Sequence, residues 1–318
     1  MPNAPALIVK PIGKADERFD AVVCALGFEA RCCHVAKEKR GAYDLGLALA
    51  FTERHLLNYD DNLKWFQANG FKIKDFVEEA FATNPIEEIL SQARNPLPQR
   101  ARLLVDISSM SRPMIAWVVT WLADAAMRLE IDVTFAYSPS QYVELGDEIY
   151  SMSFIGPVIS SFAGWTLDIK RKIVAITGIG GQRGLALGAV EYLEATEVWA
   201  FIPRGVEGRF DEASEAANKE LLDRIGEDRQ IQYSPLEPFE CFCAIESLVY
   251  GTLQKDRPVL LPFGPKIFAL ASILAAQIHK PNVPVWRVSS EQADDPVDRV
   301  AAGPIACLGA LFSFNGNT

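Results

Sequence analysis

The chain has 318 residues, 49% of them hydrophobic and 23% charged, with a formal net charge of −10. That length is long for one domain and comfortable for two. The imbalance is even: residues 1–165 hold 16 Lys and Arg against 21 Asp and Glu, and residues 166–318 hold 15 against 20, which argues against a basic arm or stripe for duplex nucleic acid.

The opening MPNAPALIVKPIG has no basic region followed by an apolar run, so no signal peptide is expected. Residues 1–18 read as a lead-in with a short edge strand at 6–10. The run FDAVVCAL (19–26) is the first strand. It ends in Gly27-Phe28-Glu29-Ala30-Arg31, and a helix follows to about Lys39. A strand at 45–51 exits through Thr52-Glu53-Arg54-His55. A helix at 61–68, a weak strand at 71–76, a helix at 85–94 and a Pro-rich turn at 95–99 come next.

The centre of the chain is LLVDISSMSRPMIAW, residues 103–117. A buried strand stops at Ser108-Ser109-Met110-Ser111, and Arg112-Pro113 opens an apolar helix over 114–127. Pro suits a first helical turn because its missing N–H has no intrahelical partner to lose. The helix contains Asp124 and is too short to cross a bilayer, so no membrane is expected among the partners. A strand at 132–137 closes this set. Residues 138–168 are a join punctuated by Gly146, Gly156, Pro157 and Gly164, with a hairpin edge at 149–155.

A second set starts with a strand at 172–177 and the turn Gly178-Ile179-Gly180-Gly181-Gln182-Arg183-Gly184, followed by a helix to about Leu193. A strand at 198–202 ends in Pro203-Arg204-Gly205. A polar helix at 211–225, a short strand at 230–234 and a helix at 239–253 follow. Then comes the strand 258–261, the turn Phe263-Gly264-Pro265-Lys266, an apolar helix at 267–279 and a strand at 284–288. The tail, 291–318, mixes acidic and apolar pieces and receives no element.

Short apolar strands alternating with helices are the pattern of a parallel sheet covered on both faces. Each half has the same order of events, so the fold class expected is α/β: two tandem Rossmann-like domains, residues 1–163 and 164–318, with mainly parallel sheets and a pseudo-twofold duplication.

In open parallel sheets ligands sit beyond the carboxyl ends of the strands, where helix N-termini point. The candidates there are Gly27, Glu29 and Arg31; Ser108, Ser109, Ser111 and Arg112; Gly180, Gly181 and Arg183; Arg204; and Gly264 with Lys266. A helix N-terminus, hydroxyls and a guanidinium together make an anion site. The ordinary explanation of the serines is capping, though one serine suffices for a cap. A cation in a first helical turn is unfavourable without an anion nearby; Arg112 and Lys266 both stand there. Facing one cleft between the halves, they would hold one phosphate-rich ligand. The Gly turn is one residue longer than a dinucleotide fingerprint, and its ordinary explanation is packing. With Arg204 on a 2′-phosphate it offers an alternative, an NADP-dependent oxidoreductase. No Tyr-x-x-x-Lys pair accompanies it, and the paired acids of phosphoribosyl transferases are missing.

Six cysteines (Cys24, Cys32, Cys33, Cys241, Cys243, Cys307) form no framework and no zinc spacing. They read as reduced thiols in a cytoplasmic protein, with Cys32, Cys33, Cys241 and Cys243 in the core, and no metal or cofactor is expected. His55 lies at a strand end, and no nucleophile motif matches it.

Residues 106–114, and less closely 262–266, resemble the nucleotide-sensing motif of CRISPR-associated Rossmann-fold (CARF) domains. The resemblance implies a cyclic oligonucleotide as ligand and a place in prokaryotic antiviral defence, and some members of that family cleave the ligand without metal. It departs from the family in carrying both copies in one chain with no length for an effector, which implies a protein partner that supplies one. The remaining alternative is a non-catalytic protein whose strand-end loops bind another chain.

Overall fold

The computed structural model describes residues 5–12, 18–77, 83–93, 99–144, 149–165, 168, 170–205, 207–290 and 296–314. In chain order its strands and helices are β1 (Pro5–Lys10), β2 (Phe19–Leu26), α1 (His34–Glu38), β3 (Tyr43–Phe51), α2 (Tyr59–Ala68), β4 (Lys72–Phe76), α3 (Pro85–Ala93), β5 (Arg100–Asp106), α4 (Arg112–Ala125) and β6 (Glu130–Tyr137). Then follow β7 (Met152–Pro157), β8 (Ile173–Gly178), α5 (Leu185–Tyr192), β9 (Glu197–Pro203), α6 (Gly208–Ala217), α7 (Lys219–Arg224), β10 (Gln230–Tyr233), α8 (Pro238–Leu253), β11 (Arg257–Leu261), α9 (Lys266–Ile278), β12 (Trp286–Ser290) and β13 (Ala306–Phe314).

The chain divides into two compact units. Unit 1 holds residues 1–141 and 296–318, and unit 2 holds residues 142–295. In unit 1 one sheet runs β1-β13-β6-β5-β2-β3-β4. Strands β2 to β6 are mutually parallel, and numbered among themselves they lie in the order 3-2-1-4-5 of a Rossmann sheet. In unit 2 the sheet runs β10-β9-β8-β11, all parallel, which is 3-2-1-4. Val285 bridges parallel to Leu260 beside β11, in the fifth place. The duplication is thus one of topology.

The sequence explains the layering. FDAVVCAL of β2 is apolar on both faces and buried along nearly its whole length, as a central parallel strand must be. Helix α4 buries Pro113, Met114, Ile115, Ala116, Val118, Val119, Trp121 and Leu122, so it is apolar almost all round. Each fully buried Met or Ile side chain among these contributes about 1.5–3 kcal/mol.

Five expectations are corrected. The 163/164 boundary fails because 296–318 returns to unit 1: β13 pairs antiparallel with both β1 and β6. In place of a hairpin edge at 149–155, β7 pairs antiparallel with the distant β12. The helix at 211–225 is broken at Asn218, whose side chain donates to the carbonyls of Gly180 and Ser214 at 2.7 and 2.8 Å. The first helix begins as a 3-10 turn over Ala30–Cys33. Cys243 is exposed, whereas Cys24, Cys32, Cys33 and Cys241 are buried. Gly146 and residues 95–98 of the Pro-rich turn lie outside the described residues. Among the described residues no helix is long and apolar enough to cross a membrane.

The edge strand β4 carries Lys72 and Lys74, both ion-paired to Glu88 in the first turn of α3. These two ammonium groups hold the Glu88 carboxyl down to about 2 from its usual 4.5. A depressed carboxyl stabilises the fold fully above about pH 4.5, and this contribution is lost as pH falls through 2. Urea midpoints measured from pH 6 to pH 2 should therefore fall less steeply below pH 4.5 in Glu88→Gln than in the parent; identical acid limbs would refute the linkage.

Candidate functional site

In a 3-2-1-4 sheet the order reverses between the first and fourth strands, and ligands of such folds bind beyond that point. In unit 1 the reversal lies between the neighbours β2 and β5. The loops leaving them are 27–31 and 107–111, which hold seven of the sequence candidates once Arg112 is added.

The structure brings most of these side chains into one polar network. Glu29 Oε2 accepts from Arg31 Nε at 2.9 Å and from Ser109 Oγ at 3.0 Å. Arg31, only 4% exposed, also donates from Nη1 to the Ser138 carbonyl at 2.7 Å. Burial pulls the Arg31 pKa down, but the Glu29 carboxylate and Tyr137 outweigh it and the net direction is up, so the guanidinium stays charged. Ser108 Oγ donates to Asp106 Oδ1 at 2.5 Å and accepts from the Ser138 N–H at 2.8 Å. Asn62 donates to the carbonyls of Gly27 and Glu29 at 2.8 and 3.0 Å, which fixes the β2 exit turn.

The serines therefore have three different roles. Ser111 is the α4 N-cap and accepts the Met114 N–H at 3.2 Å. Ser108 is fully buried and ties β5 to β6. Ser109 crosses to Glu29. With Pro113 lacking an N–H and the Met114 N–H bound by Ser111, two of the first three amides of α4 are out of play. The charge at this helix end resides on Arg112, which is partly exposed, and no acidic residue stands in the first turn beside it.

Sequence reasoning missed Ser138, Ser140, Asp298 and Arg299. Asp298 Oδ1 accepts the Ala30 N–H at 2.8 Å, and the Arg299 guanidinium lies 3.8 Å from Glu29 Oε1 and 3.5 Å from Ser140 Oγ. A signal was present: Ala306, Leu308, Ala310 and Phe312 alternate inward along β13, and a strand there would have drawn the preceding segment back to unit 1.

In unit 2 the reversal lies between β8 and β11, whose loops hold Gly178 to Gly184 and Gly264 with Lys266. Here backbone meets backbone. A Cβ on Gly178 would lie 2.5 Å from the Phe263 carbonyl oxygen, and one on Gly180 would lie 2.8 Å from the Gly264 Cα. Gly264 itself has φ +73 and abuts the Ile179 carbonyl. Packing accounts for these three glycines. Arg183 is exposed, and Gly181 and Lys266 are partly exposed. Lys266 stands in the first turn of α9, which carries no acid and no side-chain cap. Arg204 pairs with Glu215 at 2.5 Å.

Elsewhere, His55 is an exposed loop residue, its ring stacked on Tyr59 at 3.9 Å. Burial, with Asp106 nearby, pushes the Cys24 thiol well above its usual range, so it is an inert core group. Among the described residues no three His, Cys, Asp or Glu side chains converge as a metal site requires.

No protein-family model and no curated relative matches the sequence. Among solved structures, the chain is similar to a protein of unknown function from Pseudomonas aeruginosa PAO1 (8% identity, covering 86% of this chain and 93% of that one, TM-score 0.24). It is also similar to a protein titled a universal stress protein from P. aeruginosa UCBPP-PA14 (7% identity, 87% and 96%, TM-score 0.27). A third is the cytoplasmic domain of a prokaryotic cation chloride cotransporter (10% identity, 86% and 96%, TM-score 0.22).

Packing as the reason for the Gly turn is directly testable. Gly264→Ala places a Cβ at positive φ against the Ile179 carbonyl and should destabilise the protein by about 2–4 kcal/mol in urea unfolding. A loss below about 0.5 kcal/mol, the range of an ordinary surface change, would show that the two turns are not held together as described.

Proposed function

We propose that this protein binds a phosphate-rich nucleotide ligand at the carboxyl ends of β2 and β5, with Arg112 as its principal contact. The observation that carries this reading is a guanidinium, Arg112, in the first turn of α4 beside the Ser109–Ser111 loop, at the strand-order reversal of a Rossmann sheet. The hydroxyls of Ser109 and Ser111 stand on the same loop. A guanidinium grips two phosphate oxygens at once. Lys266 is the topological equivalent of Arg112 in unit 2 and would serve a second phosphate of the same class.

The finer reading extends the same proposal. The likeness of residues 106–114 to the CARF motif supports a cyclic oligonucleotide as the ligand, a cytoplasmic sensor in prokaryotic antiviral defence, and a partner protein as the effector. The nicotinamide alternative draws less support, because Gly178, Gly180 and Gly264 are accounted for by packing and Arg204 by Glu215.

A thermal-shift screen with cyclic oligonucleotides, NAD(P), ATP and phosphoribosyl compounds should give a hit. Ligand at about 100 times its Kd stabilises by about 2.7 kcal/mol. By calorimetry Arg112→Ala should then weaken binding by about 30- to 150-fold, the equivalent of about 2–3 kcal/mol for a charged contact. Arg112→Lys should recover part of that loss. A shift with NADP alone, or unchanged affinity in Arg112→Ala, would sink the proposal.

A further inference from the structure

The chain leaves unit 1 after Gln141 and re-enters it at Pro296. Within unit 1 the two crossings run side by side. The Gln141 N–H donates to the Val300 carbonyl and the Ala302 N–H to the Pro139 carbonyl, each at 2.9 Å, with Ser140 and Ala301 forming an antiparallel bridge. This short ribbon is fastened to the β2 exit turn. The Arg31 N–H donates to the Arg299 carbonyl at 3.0 Å, the Ala30 N–H to Asp298 Oδ1 at 2.8 Å, and Arg31 Nη1 to the Ser138 carbonyl at 2.7 Å.

Glu29 stands where these fastenings meet the candidate site. Its Oε2 receives Arg31 and Ser109, and its Oε1 faces Arg299, which belongs to the ribbon. Ser109 lies three residues before Arg112 on the loop to α4. An anion arriving at that helix end would attract the Ser109 hydroxyl and the Arg299 guanidinium, and would repel the Glu29 carboxylate. A ligand shifts an equilibrium only by its different affinity for the two states, and this repulsion supplies the difference.

We propose that Glu29 latches the ribbon of residues 139–141 and 300–302 to the β2 exit turn, and that an anion at the first turn of α4 releases the latch. The second clause rests on the function proposed above; the first stands without it.

Hydrogen exchange on the full chain tests both clauses. Glu29→Gln and Arg299→Gln should each accelerate exchange in peptides covering 138–142 and 296–302 by about tenfold, with β2 and β5 peptides as the unchanged reference. Inorganic pyrophosphate added to the parent protein should do the same, and Glu29→Gln should bind it more tightly. Unchanged ribbon exchange in both variants overturns the latch. So does equal acceleration in β2 and β5, which would mean general loosening. Arg299→Gln keeps the test open if Glu29→Gln folds poorly. Pyrophosphate that binds by calorimetry yet leaves the ribbon alone overturns the coupling and leaves the anion reading standing. Pyrophosphate that does not bind overturns the anion reading and the coupling with it, while the variants still decide the latch.

Discussion

Two adjacent parallel strands whose chain order reverses send their exit loops apart, and the gap between those loops has to be filled by something. Both units of this protein face that constraint, at β2 and β5 in one and at β8 and β11 in the other. Unit 1 fills it with side chains: Ser109 reaches Glu29, and Glu29 holds Arg31. Unit 2 fills it with bare backbone: Gly178 and Gly180 lie against the turn at Phe263 and Gly264. Nearly every other feature of the two strand-end regions follows from that difference.

The side-chain solution requires the buried charges to be satisfied. A buried guanidinium without a partner is strongly destabilising, and a paired one is close to neutral, so the Glu29–Arg31 pair is better read as fixing a geometry than as adding stability. Arg31 meets the requirement by gathering a carboxylate and the Ser138 carbonyl, and Asp106 by accepting both the N–H and the hydroxyl of Ser108. These partners come from β2, β5 and β6 at once. A network of this kind holds its loops in one arrangement, and it also makes them interdependent, since removing one member leaves another buried and unpaired.

How much of this was legible in the sequence depended on the range of each interaction. The strands from 19–26 onward and the Ser loop before α4 are local patterns, and the alternation that produced them is strong. Ser111 as a cap follows from residue type and position alone. Arg31 does not announce its burial, because the carbonyl that receives it lies 107 residues away. Asp298 and Arg299 were harder still: their partners Ala30 and Glu29 are near the other end of the chain, and only the pairing of β13 with β6 carries them there. Local periodicity can report a strand, but not which sheet takes it. The break of the 211–225 helix at Asn218 has the same origin, since the Asn side chain turns to the Gly180 carbonyl, 38 residues away.

The two fillings also differ in what they permit. Where Gly178 and Gly180 meet the turn at Phe263 and Gly264 the contact is backbone on backbone, and an added side chain would have to push the two turns apart. The Gly264 conformation, at φ +73, is open to glycine and few other residues, which ties this turn to one shape. A hydroxyl and a carboxylate can exchange one hydrogen-bond partner for another at small net cost. Ser109 and Glu29 are such a pair, and they sit between the helix that presents Arg112 and the segment that returns from unit 2. Duplicated sheets with the same strand order thus close their reversal points with a side-chain network in one unit and with backbone contact in the other.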